Sequence, residues 1–147
     1  MKTPFESIIE DLAAATGADI RIGTDRVAEI AVADELVLVK PTDTGEETAT
    51  LFAVVSEGDL DEAALRHALS LNLFGHGTLG GAIGLFVDSL VFSVDVPLSG
   101  LSAEDFAERL AGFAQKSTEI AAAVSSGEPS EVVGESDVLD LSRFIQV

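Results

Sequence analysis

Between Gly17 and Gly58 the sequence holds three to four short apolar runs with no helical pattern among them, and this unbroken series narrows the possible folds most. Ile20 and Ile22 alternate with Asp19 and Arg21. Val27 to Val32 and Leu36 to Lys40 are β-branched or aliphatic runs separated by Ala33-Asp34-Glu35. Pro41-Thr42-Asp43-Thr44-Gly45 reads as a loop, and Thr48 to Val55 is a further apolar run. A doubly wound parallel sheet needs helices and strands to alternate one for one. Consecutive strands instead predict an antiparallel, twisted sheet with flanking helices in an α+β domain, in the order α-β-β-β-α-β-β-α.

The helices carry their own signals. Thr3-Pro4-Phe5-Glu6 offers an N-cap, a proline at the first helical position and a glutamate three residues after the cap. Phe5, Ile8, Ile9 and Leu12 then form one apolar face, and Gly17 closes the helix. A second helix starts near Asp59, with Asp59 and Glu62 as its cap pair. Leu65, Ala68, Leu69 and Asn72 lie on one side of it, with Leu60, Ala64 and Leu71 beside them. That face is wider than one small sheet covers. Gly75 to Gly81 breaks this helix, and a hairpin follows around Asp88-Ser89, from Ala82 to Val87 and from Leu90 to Val96, with Pro97 as its stop. The third helix enters at Ser102, with Asp105 three residues on and Leu101 stapled to Phe106. Its buried stripe is Phe106, Leu110, Phe113 and Ile120, and it runs to about Val124. Residues 1–124 thus make one domain, 125–137 a polar linker, and 138–147 an apolar segment with strand character.

Composition removes several classes of function. The 147 residues carry 8 Lys plus Arg against 26 Asp plus Glu, a net charge of −18. Phosphate backbones and anionic membrane surfaces repel such a chain, so no nucleic acid and no membrane insertion are expected. With no cysteine, disulfides and thiolate-bound metals are excluded. The first fifteen residues hold Glu6, Glu10 and Asp11 and no long apolar run, so no signal peptide is expected.

No motif points to chemistry. Gly75-His76-Gly77-Thr78-Leu79-Gly80 fits G-x-G-x-x-G by letter, but a helix precedes it and a strand follows, the reverse of a dinucleotide-binding loop. His67 and His76 lack the spacing of a zinc helix and have no nucleophile partner, and His67 beside Arg66 reads as surface. Asp43 to Glu47 lacks calcium-loop spacing, and the acids at helix starts answer the helix dipole. No catalytic residue, metal or cofactor is assigned. Asn72, set among leucines at a helix end, reads as a buried amide that must be hydrogen-bonded.

From Asn72 outward the chain resembles a known family. Leu60-Asp61-Glu62-Ala63-Ala64-Leu65-Arg66-His67-Ala68-Leu69-Ser70-Leu71-Asn72-Leu73 is similar to the second helix of type III secretion chaperones, the small acidic dimers of the Tir-chaperone (CesT-like) family. Gly80 to Leu85 and Leu90 to Val94 resemble their hairpin strands, and Leu101 to Phe106 the entry to their last helix. The likeness runs from about residue 3 to residue 124, while Gly75-His76-Gly77 and the chain after Ser125 depart from the pattern. The resemblance implies a class I effector chaperone: a homodimer of the bacterial cytoplasm, no enzyme, that binds the amino-terminal segment of secreted effector proteins in extended form.

Such a binder needs sheet edges, exposed apolar grooves and no reactive group. A high net charge keeps exposed apolar patches in solution. The client surface is assigned to Phe5, Ile8, Ile9, Leu12, Ile20, Ile22, Ile30 and Val32, and the dimer interface to Leu65, Leu69, Leu73, Leu79 and Leu85. Two other readings stay open: a non-secretory adaptor of the same fold, and a small enzyme using His76.

Overall fold

In the computed structural model, which describes residues 2–58 and 60–126, the first helix forms where its cap signals place it. Helix α1 spans Pro4–Thr16. The Glu6 amide donates to Thr3 Oγ1 at 3.1 Å, and the Thr3 amide donates to Glu6 Oε2 at 3.2 Å, so two orphan donors are satisfied reciprocally. Gly17 ends the helix at φ 73°, a left-handed turn that favours glycine.

Strands β1 (Ala28–Val32), β2 (Glu35–Thr42) and β3 (Gly45–Glu57) follow as a meander. Ile20 and Ile22 do not make a strand of their own; Ile22 contributes a single bridge to Ala28. The expected loop at Pro41–Gly45 is shorter than its composition suggested, because β2 runs through Thr42 and β3 starts at Gly45. Pro41 is tolerated there because β1 begins at Ala28 opposite Val39, so beyond Val39 that flank of β2 needs no donor.

Helix α2 spans Glu62–Leu71. Its cap is Asp61, whose Oδ1 accepts from the Ala64 amide at 2.7 Å, and not the expected Asp59, which lies outside the described residues. A 3-10 turn at Leu73–Gly75 leads through the glycine loop to β4 (Ala82–Phe86) and β5 (Ser89–Pro97). At Gly81, where the chain enters β4, a Cβ would lie 2.1 Å from the Ser93 carbonyl oxygen, so only glycine fits. The glycine loop thus serves close backbone packing. Helix α3 spans Ala103–Ser126, and Ser102 Oγ accepts from the Asp105 amide at 3.1 Å as its entry predicts. The expected linker and apolar segment after it fall outside the described residues, apart from the last turn of α3.

All pairings are antiparallel, in the order β1-β2-β3-β5-β4. This is the predicted α+β class and element order. The helices pack on one face, where alternate residues of β2 and β3 are buried: Val37, Val39, Ala49, Leu51, Ala53 and Val55. Phe92 of β5 stacks on Phe113 of α3 at 4.7 Å between ring centroids, nearly parallel.

Two readings of α2 change. His67, expected at the surface, is 6% exposed, because the buried stripe is Ala64, His67, Ala68 and Leu71. Its neighbour Arg66 takes the solvent side and pairs with Glu62 at 2.8 Å. Leu69, placed by sequence beside Ala68, lies on the other side of the helix and is 69% exposed.

Candidate functional site

The candidate site is a set of apolar surfaces left uncovered by a single layer of helices. Among the described residues the sheet face opposite the helices carries Leu36, Leu38, Phe52, Val54 and Val91. Leu36 is 54% and Val54 49% exposed; the other three are half-buried. Register sets these side chains against one another: Ala31 faces Leu36, Leu38 faces Phe52, and Val54 faces Val91. The face turns polar at one end, where Thr50 Oγ1 donates to Asp95 Oδ1 at 2.6 Å beside Lys40. Sequence reasoning missed this face. Its signal was present in Leu36-Val37-Leu38-Val39 and Leu51-Phe52-Ala53-Val54-Val55, which are apolar at both parities, as strands with two apolar faces are.

The residues assigned to the client surface divide. Phe5, Ile8, Ile9, Leu12 and Ile30 are core residues, at most 6% exposed. Helix α1 has one apolar stripe, and that stripe is pressed against α3 and β3, so none remains for a groove. Arg26 closes the outer end of this packing. Its guanidinium lies 5.7 Å from the Phe5 ring centroid, donates to Glu6 Oε1 at 2.7 Å and donates to both Glu46 carboxylate oxygens at 2.7 Å. The Arg26 hydrogen bond, joined by one from the Thr3 backbone, lowers the Glu6 pKa.

Ile20, Ile22 and Val32 are half-buried against the core; Ile22 bridges Ala28 of β1, and Val32 ends that strand. This is an edge of the sheet, paired with β2 on one side and met on the other by the single Ile22–Ala28 bridge. A shallow cavity of about 550 Å³ opens beside it, lined by Asp19, Arg21, Asp25, Val27 and Glu29 among others. An extended segment can add to such an edge through its main chain.

Of the residues assigned to a dimer interface, Leu69, Leu79 and Leu85 are exposed, while Leu65 and Leu73 are half-buried. Phe74, Phe86 and Val87, not singled out from sequence, are also exposed in the same loop and hairpin. Polar chemistry is sparse by comparison. His76 is exposed, with an edge-on ring contact to Phe74 at 6.4 Å. Among the described residues no group of three or more His, Asp or Glu could hold a metal ion, and no helix is long and apolar enough to cross a membrane.

Comparison with known proteins bears on the same fold. The chain matches a chain from the crystal structure of the Yersinia pestis type III secretion chaperone SycH in complex with a stable fragment of YscM2. The identity is 17% and the TM-score 0.60, over 79% of this chain and 98% of that one. It matches a chain of the HopA1–SchA chaperone–effector complex at 13% identity and TM-score 0.62, over 82% and 94% of the two chains. A chain of the Pseudomonas aeruginosa ExoT–SpcS complex matches at 16% identity and TM-score 0.57, over 81% and 98%. These likenesses concern the fold. No curated protein sequence matches. The model of the Tir chaperone protein (CesT) family matches residues 7–121, from α1 into α3, and the chain belongs to that family.

Proposed function

We propose that this protein is an effector chaperone of a type III secretion system, acting as a homodimer in the bacterial cytoplasm. It binds the amino-terminal segment of a secreted protein in extended form and keeps it soluble for export. The observation that carries this reading is the open apolar sheet face beside the outer edge of β1, which no further strand of the described residues covers, on a chain of the CesT family. The edge supplies main-chain hydrogen bonds, and the half-exposed aliphatic side chains next to it supply apolar contact. SycH, SchA and SpcS were each solved in complex with another protein, which supports a protein client. Client contact moves, in this reading, from the buried face of α1 to Leu36, Val54 and their neighbours, with Ile20, Ile22 and Val32 at the edge.

The test is co-purification with candidate secreted proteins encoded nearby, followed by titration of the captured amino-terminal segment. Val54→Asp should weaken binding at least tenfold while the melting temperature stays close to wild type, because Val54 is half exposed. Binding should proceed without ATP and without metal. Affinity indifferent to Val54→Asp and to Leu36→Asp, or an absolute need for ATP, would overturn the assignment.

A further inference from the structure

We propose that the β4–β5 hairpin tip of one copy of this chain, Phe86-Val87-Asp88, seats in a cleft on α3 of a second copy, where Asp88 pairs with Arg109. The contact rests on the homodimer reading above and names what each copy contributes.

The cleft lies between α3 and the paired strands β3 and β5. It has a volume of about 340 Å³ and is lined by Leu51, Leu79, Val94, Val96, Arg109 and Gly112 among others. Val94 shares its strand parity with Phe92 and Val96, which are both buried on the helix-covered face, yet Val94 is only half-buried. Helix α3 thus leaves a gap over β5 at that point.

Three residues at this gap are poor choices for the chain by itself. Gly112 sits inside α3, where glycine weakens a helix relative to alanine. A Cβ there would meet no atom within 4 Å, so the chain's own packing does not require glycine. Leu79 holds φ at 53°, a left-handed backbone that bulky side chains disfavour, and its side chain is exposed. Arg109 follows Asp105 by one helical turn, the spacing of a helix ion pair. It nevertheless pairs with no carboxylate among the described residues and lines the cleft instead. Together they keep an apolar slot open beside an unneutralised cation, which suits an apolar side chain next to a carboxylate.

The hairpin tip has that chemistry. Phe86, Val87 and Asp88 are all exposed, and Asp88 pairs with no cation among the described residues. Val87 takes φ 54° in the two-residue turn between Phe86 and Ser89, where Gly, Asn or Asp is preferred and a β-branched side chain is disfavoured. The tip cannot fill the cleft of its own chain, because Ser89 beside it lies five residues from Val94, about 17 Å along the extended strand. A second copy can supply it, and a two-fold exchange seats both tips at once.

Charge exchange tests the contact, read by sedimentation of the full chain at micromolar concentration. Asp88→Arg and Arg109→Asp should each weaken self-association at least tenfold. The double variant, Asp88→Arg with Arg109→Asp, should restore it to within a few-fold of wild type. Both side chains are exposed in the single chain, so each variant should keep the wild-type circular dichroism spectrum. Gly112→Leu, which fills the cleft with a good helix former, should also weaken self-association at unchanged helix content. Single charge reversals that associate like wild type would overturn the contact, as would a double variant no better than either single one or a Gly112→Leu dimer as tight as wild type. Tighter association of Asp88→Arg alone would overturn it too, since net charge and not pairing would then govern. A wild-type dimer split by Leu69→Asp and indifferent to both charge reversals overturns this contact alone; a wild-type monomer overturns the homodimer with it.

Discussion

Asn72 and Ile83 are joined by two hydrogen bonds in which a side chain takes the place of a strand. Asn72 Nδ2 donates to the Ile83 carbonyl at 2.8 Å, and the Ile83 amide donates to Asn72 Oδ1 at 2.7 Å. Ile83 sits on β4, the last strand of the sheet, and pairs across β5 with Phe92. Its own amide and carbonyl therefore point out of the sheet. The amide at the end of α2 covers that edge position and ties helix to hairpin across the glycine loop.

Removing this pairing should be costly. Asn72→Leu loses both bonds and leaves the backbone amide and carbonyl of the buried Ile83 unpaired, a destabilisation of about 1–3 kcal/mol at ordinary hydrogen-bond worth. Asn72→Asp keeps an acceptor for the Ile83 amide but sets a carboxylate against the Ile83 carbonyl, so it should recover only part of the loss. Urea unfolding at neutral pH reads both. An Asp variant as stable as wild type would refute the two-bond account.

The Arg26 clamp makes stability depend on acid. Arg26 holds the Glu6 pKa below the usual glutamate range, so in the folded state Glu6 keeps its charge to lower pH than in the unfolded chain. A depressed folded pKa contributes stability that is complete above the unfolded pKa and is lost as pH falls through the folded one. Arg26→Met should therefore melt earlier than wild type at pH 7, and the gap should close as pH drops from about 4.5 toward 3. Melting curves at both ends of that window decide it. A gap of constant size would mean that Arg26 acts through its packing on Phe5.

Leu12 now belongs to the core, 2% exposed under α1. Leu12→Asp should destabilise by more than about 3 kcal/mol, as an unpaired buried charge does, and should abolish folding before it touches any binding function. A soluble, folded Leu12→Asp protein with lost client binding would return α1 to the client surface.

What the sequence made legible was what is settled locally. Thr3 with Glu6, and Ser102 with Asp105, state a helix entry within four residues, and both caps form as read. The acid-rich entry to α2 held more than one usable cap, and local pattern could not choose Asp61 over Asp59. The helix stripe of α2 was read about one position around the helix from where it lies, because Leu65 and Leu69 outweighed a histidine in any hydrophobicity count. Packing of Ala64, Ala68 and Leu71 drew His67 inward instead. The client surface failed for a different reason. Apolar alternation reports that a face is covered and does not say by what. The strongest stripes, Phe5 to Leu12 in α1 and Ile30 in β1, are strong because they are core. The open face was hidden in strands apolar at both parities, and only the placement of all helices on one side reveals which parity stays uncovered.

Leu69 is the residue to probe for dimerisation, since in the single chain it is exposed and carries no packing duty. If a second copy covers it, Leu69→Asp places a charge in an apolar interface and should weaken self-association at least a hundredfold, given about 1.4 kcal/mol per tenfold. The monomer itself should keep its fold. Sedimentation at micromolar concentration should show a dimer for wild type and a monomer for the variant. A wild-type monomer under those conditions removes the homodimer from the proposal.

His67 supplies a prediction in the opposite direction. Its Nε2 is buried and has no hydrogen-bond partner among the described residues, while the rest of the ring fills the stripe between Ala64 and Leu71. A buried polar atom left unpaired costs about 1–3 kcal/mol of desolvation, and replacing it with an apolar group of similar volume removes that cost. His67→Leu should therefore be at least as stable as wild type. His67→Ala removes the volume as well and leaves a cavity, so it should be less stable than the leucine variant by about 2–4 kcal/mol. Thermal unfolding of the three proteins separates these terms. If His67→Leu loses as much as His67→Ala, the imidazole is held by a polar contact, and the histidine belongs to a hydrogen-bond network instead of the core.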